Sequence, residues 1–189
     1  MPRLIARLCE DHQSMVRLLD VLADGVCSVR DGGAPDFDLI EEVLTYMTDY
    51  PDLFHHPVED VIFEALRTRE PKLSDIIGDL PAEHRQLCQL TRRFSTAIQN
   101  ILLDEELPRN WVAEVGGDYL TFARRHMMME EVTLFPLARR MLSQADWTAI
   151  EGTLEEHGRP LHDGHAQGRY RRLREKLLAW IQPAAAARP

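Results

Sequence analysis

HMMMEEVTLF, residues His126 to Phe135, decides the fold. His126 and Glu130 stand four apart, which on a helix sets an imidazole and a carboxylate on one face, one turn apart. Tyr119, Phe122, Met129, Thr133 and Leu137 share that face, so both polar groups point inward. A buried carboxylate without a partner is costly and must be offset. A metal ion can do this; so can a salt bridge to Arg124 or Arg125. The spacing recurs upstream in HHPVED, where His55 and Glu59 are also four apart. A similar apolar tail follows each pair, VIFEAL in one case and TLFPLA in the other.

The rest of the chain reads as helices at the same period. Leu4, Leu8, Met15, Leu19 and Leu22 form a stripe over about residues 4–29, with His12 inside it. The run Asp31-Gly32-Gly33-Ala34-Pro35 makes a loop. A second helix covers about residues 36–67 and is bent or divided by Pro51 and Pro57, each of which removes a backbone donor. A third covers about residues 73–103, where His84 sits in a row with Ile77, Leu80, Leu87, Thr91 and Phe94. The fourth covers about residues 108–142, with Trp111, Val115, Tyr119, Phe122, His126, Glu130 and Thr133 inward and a kink at Pro136.

Four long helices joined by short loops predict an all-α fold, an antiparallel up-down-up-down four-helix bundle. Residues 1–145 hold the bundle and residues 146–189 a C-terminal helical extension. In the extension, Asp146 caps a short helix from Trp147, Gly158 to Gly168 is a loop, and a final helix covers about residues 169–181. Leu173, Leu177 and Trp180 could pack across an end of the bundle or against a partner chain, a second copy included. The ending PAAAARP reads as frayed.

Each long helix places a polar group where the pattern asks for an apolar one. His12, His55, Glu59, His84, His126 and Glu130 make four imidazoles and two carboxylates. Such a set, without thiolate, suits iron or manganese, with zinc possible. Carboxylates from facing helices can each bridge two ions, with about two histidines per ion. His56 and Asp60 form a second pair, rotated by about 100° from the first. We expect His55 and Glu59 inward, because Ile62 and Leu66 continue their face, and His56 beside the site or at the surface. His56 is the rival for the ligand role of His55. Cys88, one turn after His84, reads as packing. His157, His162 and His165 read as a solvated cluster, Met127 to Met129 as packing, and Tyr46, Tyr50 and Tyr119 as potential donors to the site.

Composition narrows the function. The 189 residues suit one bundle of this size, and 44% are hydrophobic. A formal net charge of −9 argues against a nucleic-acid partner. No apolar run approaches membrane-spanning length, and the N-terminus carries charges too early for a secretory signal. Cys9, Cys27 and Cys88 are too far apart for a metal-binding pair and odd in number. The reading is a cytoplasmic protein with neither membrane nor nucleic acid as partner.

The stretches DHQSMVRLL around His12, FHHPVEDVIF around His55, EHRQL around His84 and RHMMMEEVTLFP around His126 resemble the hemerythrin-like, HHE cation-binding family. The resemblance covers about residues 4–142. It implies two non-haem iron ions joined by an oxo or hydroxo bridge. His12, His55, His84 and His126 would be terminal ligands, and Glu59 and Glu130 bridging carboxylates. Oxygen-carrying members have a fifth histidine, four residues after the first on the third helix; here Cys88 stands at that position. The remaining set is similar to members tied to nitrosative stress and iron–sulfur repair, although the N-terminal cysteine-containing domain of those proteins has no counterpart here. A missing imidazole would leave a more open site. The resemblance therefore implies a centre that binds or senses oxygen, nitric oxide or peroxide, served by an electron donor. A di-iron oxidoreductase (peroxidase, ferroxidase or nitric oxide reductase-like) is the first alternative. A structural or partner-binding bundle with a single or vestigial metal site is the second.

Overall fold

The computed structural model describes residues 3–156 and 166–180. Within them the chain is all helical: α1 (Arg3–Arg30), α2 (Phe37–Tyr50), α3 (His56–Arg69), α4 (Ser74–Ile77), α5 (Leu80–Leu102), α6 (Arg109–Met129), α7 (Phe135–Met141), α8 (Gln144–Glu156) and α9 (Ala166–Trp180). Packing of α1 on α6, α2 on α5, and α5 on α6 builds a four-helix bundle core. No described helix is long and apolar enough to cross a membrane.

Local chemistry sets the boundaries. The Asp36 side chain accepts a hydrogen bond from the Leu39 amide at 3.0 Å and starts α2. Asp79 does the same for Ala82 at the start of α5, where Pro81 lies in the first turn. The third helix is therefore shorter than the sequence pattern suggests. Pro71–Leu73 is a 3₁₀ turn, α4 is a single turn, and Gly78 at φ +64° ends it. The cap of α8 also differs from the expectation. The Ser143 amide donates to Asp146 at 2.7 Å and the Asp146 amide donates to Ser143 Oγ at 3.3 Å. Ser143 thus occupies the cap position, and Asp146 is its reciprocal partner three residues on.

Both glutamate-bearing helices widen into a π turn. Pro51–His55 joins α2 to α3, and Glu130–Leu134 joins α6 to α7, so each pair of helices runs on through its proline without a break. A π turn closes i→i+5 bonds and takes up one extra residue. Beyond it the inward register moves by one. Leu134, Phe135 and Ala138 are buried, whereas Thr133 and Leu137, expected inward, are half-buried. Along α6, Val112 and Ala123 face the core; Trp111 is exposed and Phe122 half-buried, against expectation.

The apolar interior is split in two. One part gathers Met15, Leu18, Leu19, Leu22, Val43, Phe94, Tyr119 and Ala123. The other gathers Leu4, Ile5, Leu8, Ile62, Phe63, Leu80, Leu134 and Phe135. A layer of buried histidines and carboxylates lies between them along the sequence of every long helix. The last helix packs on α1 and α2. Leu177 is fully buried there and Trp180 exposed. Tyr170 donates to Asp49 at 3.1 Å and Lys176 pairs with Glu42 at 2.9 Å.

Candidate metal centre

All six residues singled out by the sequence pattern converge in the polar layer. His12, His55, His84 and His126 are buried, and Glu59 and Glu130 are wholly removed from solvent. The donors form two groups. One holds His12, His55 and Glu59; the other holds Glu59, His84, His126 and also His56, with donor atoms in each group within 4.8 Å of one another.

Each carboxylate reaches both sides. Glu59 Oε1 lies 3.0 Å from His55 Nε2 and 3.6 Å from His12 Nε2, while its Oε2 lies 3.5 Å from His84 Nε2. Glu130 Oε2 lies 3.5 Å from His12 Nε2, while its Oε1 lies 3.2 Å from His126 Nε2 and 3.7 Å from His84 Nε2. Two ligand bonds of about 2.1 Å at a right angle place their donor atoms about 3 Å apart. These spacings suit donors arranged around two ions bridged by two carboxylates.

Hydrogen bonding within the layer is inadequate without a cation. Both oxygens of Glu59 and of Glu130, together with Nε2 of His84 and of His126, are buried with no hydrogen-bond partner. The pairs are close, but their geometry does not make them hydrogen bonds. Nε2 of His12 and Nε2 of His55 face each other at 2.9 Å. Neither Arg124 nor Arg125 relieves Glu130 among the described residues: Arg124 pairs with Asp20 at 2.7 Å, and Arg125 lies 4.0 Å from Glu83. Of the two remedies open at the sequence level, the metal is the one these positions fit.

Every imidazole of the layer has a carboxylate beside its Nδ1. His12 is 3.2 Å from Glu131, His55 3.5 Å from Asp11, His84 3.1 Å from Asp60, and His126 3.0 Å from Glu83. His56 follows the pattern, 3.2 Å from Asp52. At His12, His55, His56 and His126 that carboxylate hydrogen-bonds Nδ1, which fixes the ring and turns Nε2 towards a metal, whereas His84 Nδ1 lies near Asp60 without a hydrogen bond. The pattern is invisible in the sequence because these partners come mainly from other helices.

The metal-free electrostatics express the same crowding. Burial disfavours the His55 imidazolium, but Glu59 and Asp11 outweigh it and lift its pKa to about 10. Burial likewise opposes a charge on His84, and Asp60, Glu130 and Glu59 raise it to about 9. For Glu59, burial opposes ionisation, yet His55 and His12 hold its carboxyl well below the usual range. Burial and Glu59 both work against a charged Glu130, and His126 and His84 still bring its pKa down. Ions of opposite charge compressed into one dry layer are what a metal exchanges for protons.

Of the two places expected for His56, the structure shows the one beside the site: it is 9% exposed and stacks on His84 at 4.0 Å between ring centroids. Cys88, expected as packing, lines the cavity against the site and lies beside Asp52. Of the three tyrosines, Tyr119 lines that cavity, whereas Tyr50 donates to Asp11 at 2.9 Å and so reaches the layer indirectly. His157, His162 and His165 lie outside the described residues.

The cavity measures ≈ 30 Å³ and is walled by Met47, Leu87, Thr91, Tyr119, Ala123 and Met127 beside His12, His55, His56, His126 and Glu130. The two His/Glu groups, free of thiolate, are consistent with a carboxylate-bridged non-haem di-iron site of hemerythrin type.

Comparison with known proteins agrees with the geometry. Residues 3–138 match the family described as the hemerythrin HHE cation binding domain. No curated protein and no solved structure matched the chain. Because the match spans most of the chain and contains all six converging residues, the protein belongs to the hemerythrin HHE cation-binding domain family.

Proposed function

We propose that the protein binds or senses a small oxidising ligand, oxygen, nitric oxide or peroxide, at a di-iron centre held by His12, His55, Glu59, His84, His126 and Glu130. The observation that carries this reading is the ≈ 30 Å³ cavity against the donor set. A cavity of that measure has room for water-sized molecules, so it suits a diatomic or peroxide. Two iron ions would supply the electrons for reduction of the ligand.

The chain's own residues do the rest. Glu59 and Glu130 would hold the pair together. Met47, Leu87, Ala123 and Met127 keep bulk water away from the bound ligand. Burial raises the Tyr119 pKa, so its phenol stays protonated beside Thr91 in the cavity wall. Thr91, the other hydroxyl of the wall, already donates to the Leu87 carbonyl at 2.8 Å.

The test is stopped-flow spectroscopy of reduced, iron-loaded protein mixed with oxygen or nitric oxide. A charge-transfer absorption developing with about one ligand per two irons supports the proposal. Protein holding two irons that stays spectrally silent with both gases overturns it. Repeated turnover of peroxide would make the protein an enzyme in place of a sensor.

A further inference from the structure

We infer that His56 is a ligand of the same centre: a fifth imidazole, supplied by the residue next to His55. The inference rests on the di-iron reading above and adds a residue to it.

Helical geometry allows adjacent histidines to serve one site. At about 100° per residue, His56 is rotated by about 100° from His55, and Glu59 falls about 40° from His55 and about 60° from His56. Glu59 therefore lies between them, aimed at the middle of the bundle, with one imidazole on each flank. The contacts follow that arrangement. His55 turns towards α1, where its Nε2 meets that of His12. His56 turns towards α5 and α6, stacking on His84 and standing edge-on to His126 at 6.2 Å between centroids.

Two further observations point to ligation over packing. A donor atom of His56 lies within 4.8 Å of donors from Glu59, His84 and His126. Its Nδ1 is committed to Asp52 at 3.2 Å, which leaves Nε2 for that group. This is the carboxylate–imidazole hydrogen bond of His12, His55 and His126, repeated at the residue the sequence names as the rival ligand. Asp52 comes from the π turn that precedes His56, so the turn carries both ring and partner.

With His56 bound, the two ions differ in their surroundings. One side would have three imidazoles, from His56, His84 and His126, and the other two, from His12 and His55. The position left by Cys88 on α5 would be filled from α3.

Metal-free, full-length protein loaded with Co²⁺ tests this by proton NMR. An imidazole bound through Nε2 shows a strongly shifted, solvent-exchangeable Nδ1–H resonance. Five such resonances are expected in the unmutated protein with two Co²⁺ bound, and four in His56→Ala. Asp52→Asn should keep all five but move one. Four resonances in the unmutated protein at two bound ions would overturn the role of His56 and leave the di-metal centre standing. Retention of every resonance in His56→Ala would overturn that role as well. Binding of fewer than two ions would overturn the di-metal reading and this inference with it. The count on unmutated protein needs no variant to fold.

Discussion

Replacing Arg174 with alanine tests whether the last helix belongs to the metal centre. Arg174 Nη1 donates to Asp11 Oδ1 at 3.2 Å. The other Asp11 oxygen accepts from Tyr50 at 2.9 Å and lies 3.5 Å from His55 Nδ1. Asp11 is buried at 4% exposure, so the lost contact cannot be fully replaced by water. A charge-assisted hydrogen bond contributes about 1.5–3 kcal/mol. The Arg174 side chain is 25% exposed, which lowers the figure through solvent screening. We therefore expect a loss of about 1–2 kcal/mol, or about 5–30-fold in the folding equilibrium. The effect should reach the metal as well, because Asp11 orients His55, and loss of such outer partners weakens metal affinity about 10–100-fold. Urea unfolding of chelator-treated protein measures the first quantity. Competition with a chelator of known affinity measures the second. Arg174→Ala with unchanged midpoint and unchanged retention of both ions would refute the chain of contacts from α9 to His55.

Other perturbations separate the remaining claims. Glu130→Gln keeps size but removes an anion that faces both groups, and should weaken metal binding at least about tenfold by equilibrium dialysis; full retention of two irons would contradict its placement. In metal-free protein, His55 titrates near 10 and His84 near 9, so both are charged at pH 7. Metal uptake should release their protons into weak buffer, and affinity should rise with pH until about 10; uptake without proton release would contradict the pairing. The sign for metal-free stability is opposite: both pKa values lie above the ordinary 6.5, so the contribution is full below that pH and is lost as pH climbs through about 9 to 10. A Cβ at Gly116 would sit 2.5 Å from Val26 Cγ2 and 2.9 Å from Phe94 Cζ, whereas one at Gly117 meets nothing. Gly116→Ala should therefore destabilise by about 1–3 kcal/mol, and Gly117→Ala should stabilise slightly; equal midpoints in thermal melts would show that α1, α5 and α6 do not close on that glycine.

Much of the bundle is readable because a stripe of apolar residues at helical period has one structural meaning. The convergence of His12, His55, Glu59, His84, His126 and Glu130 is readable for the converse reason: each interrupts that stripe. What escapes has physical causes. A period of 3.6 cannot reveal a π turn, so it puts Thr133 and Leu137 inward where Leu134 and Phe135 belong. His56 ranks as a rival to His55 only if their helix has a single inward direction. A helix in a bundle faces two neighbours, and residues on either side of the middle are both inside. Asp79 and Pro81 do announce a new helix, but the apolar row from Ile77 to Leu80 runs across Gly78 and hides the break. The carboxylates behind each histidine cannot be foreseen, since most are joined to their rings only by the packing of separate helices.

The division of the apolar interior bears on how the protein survives. Two greasy compartments are stacked with a charged floor between them, and that floor lacks internal satisfaction. Without metal, the imidazolium–carboxylate pairs of that floor are what join the compartments. Proteases cut first the molecules that open most often. Metal-loaded protein should then outlast the metal-free form under limited proteolysis.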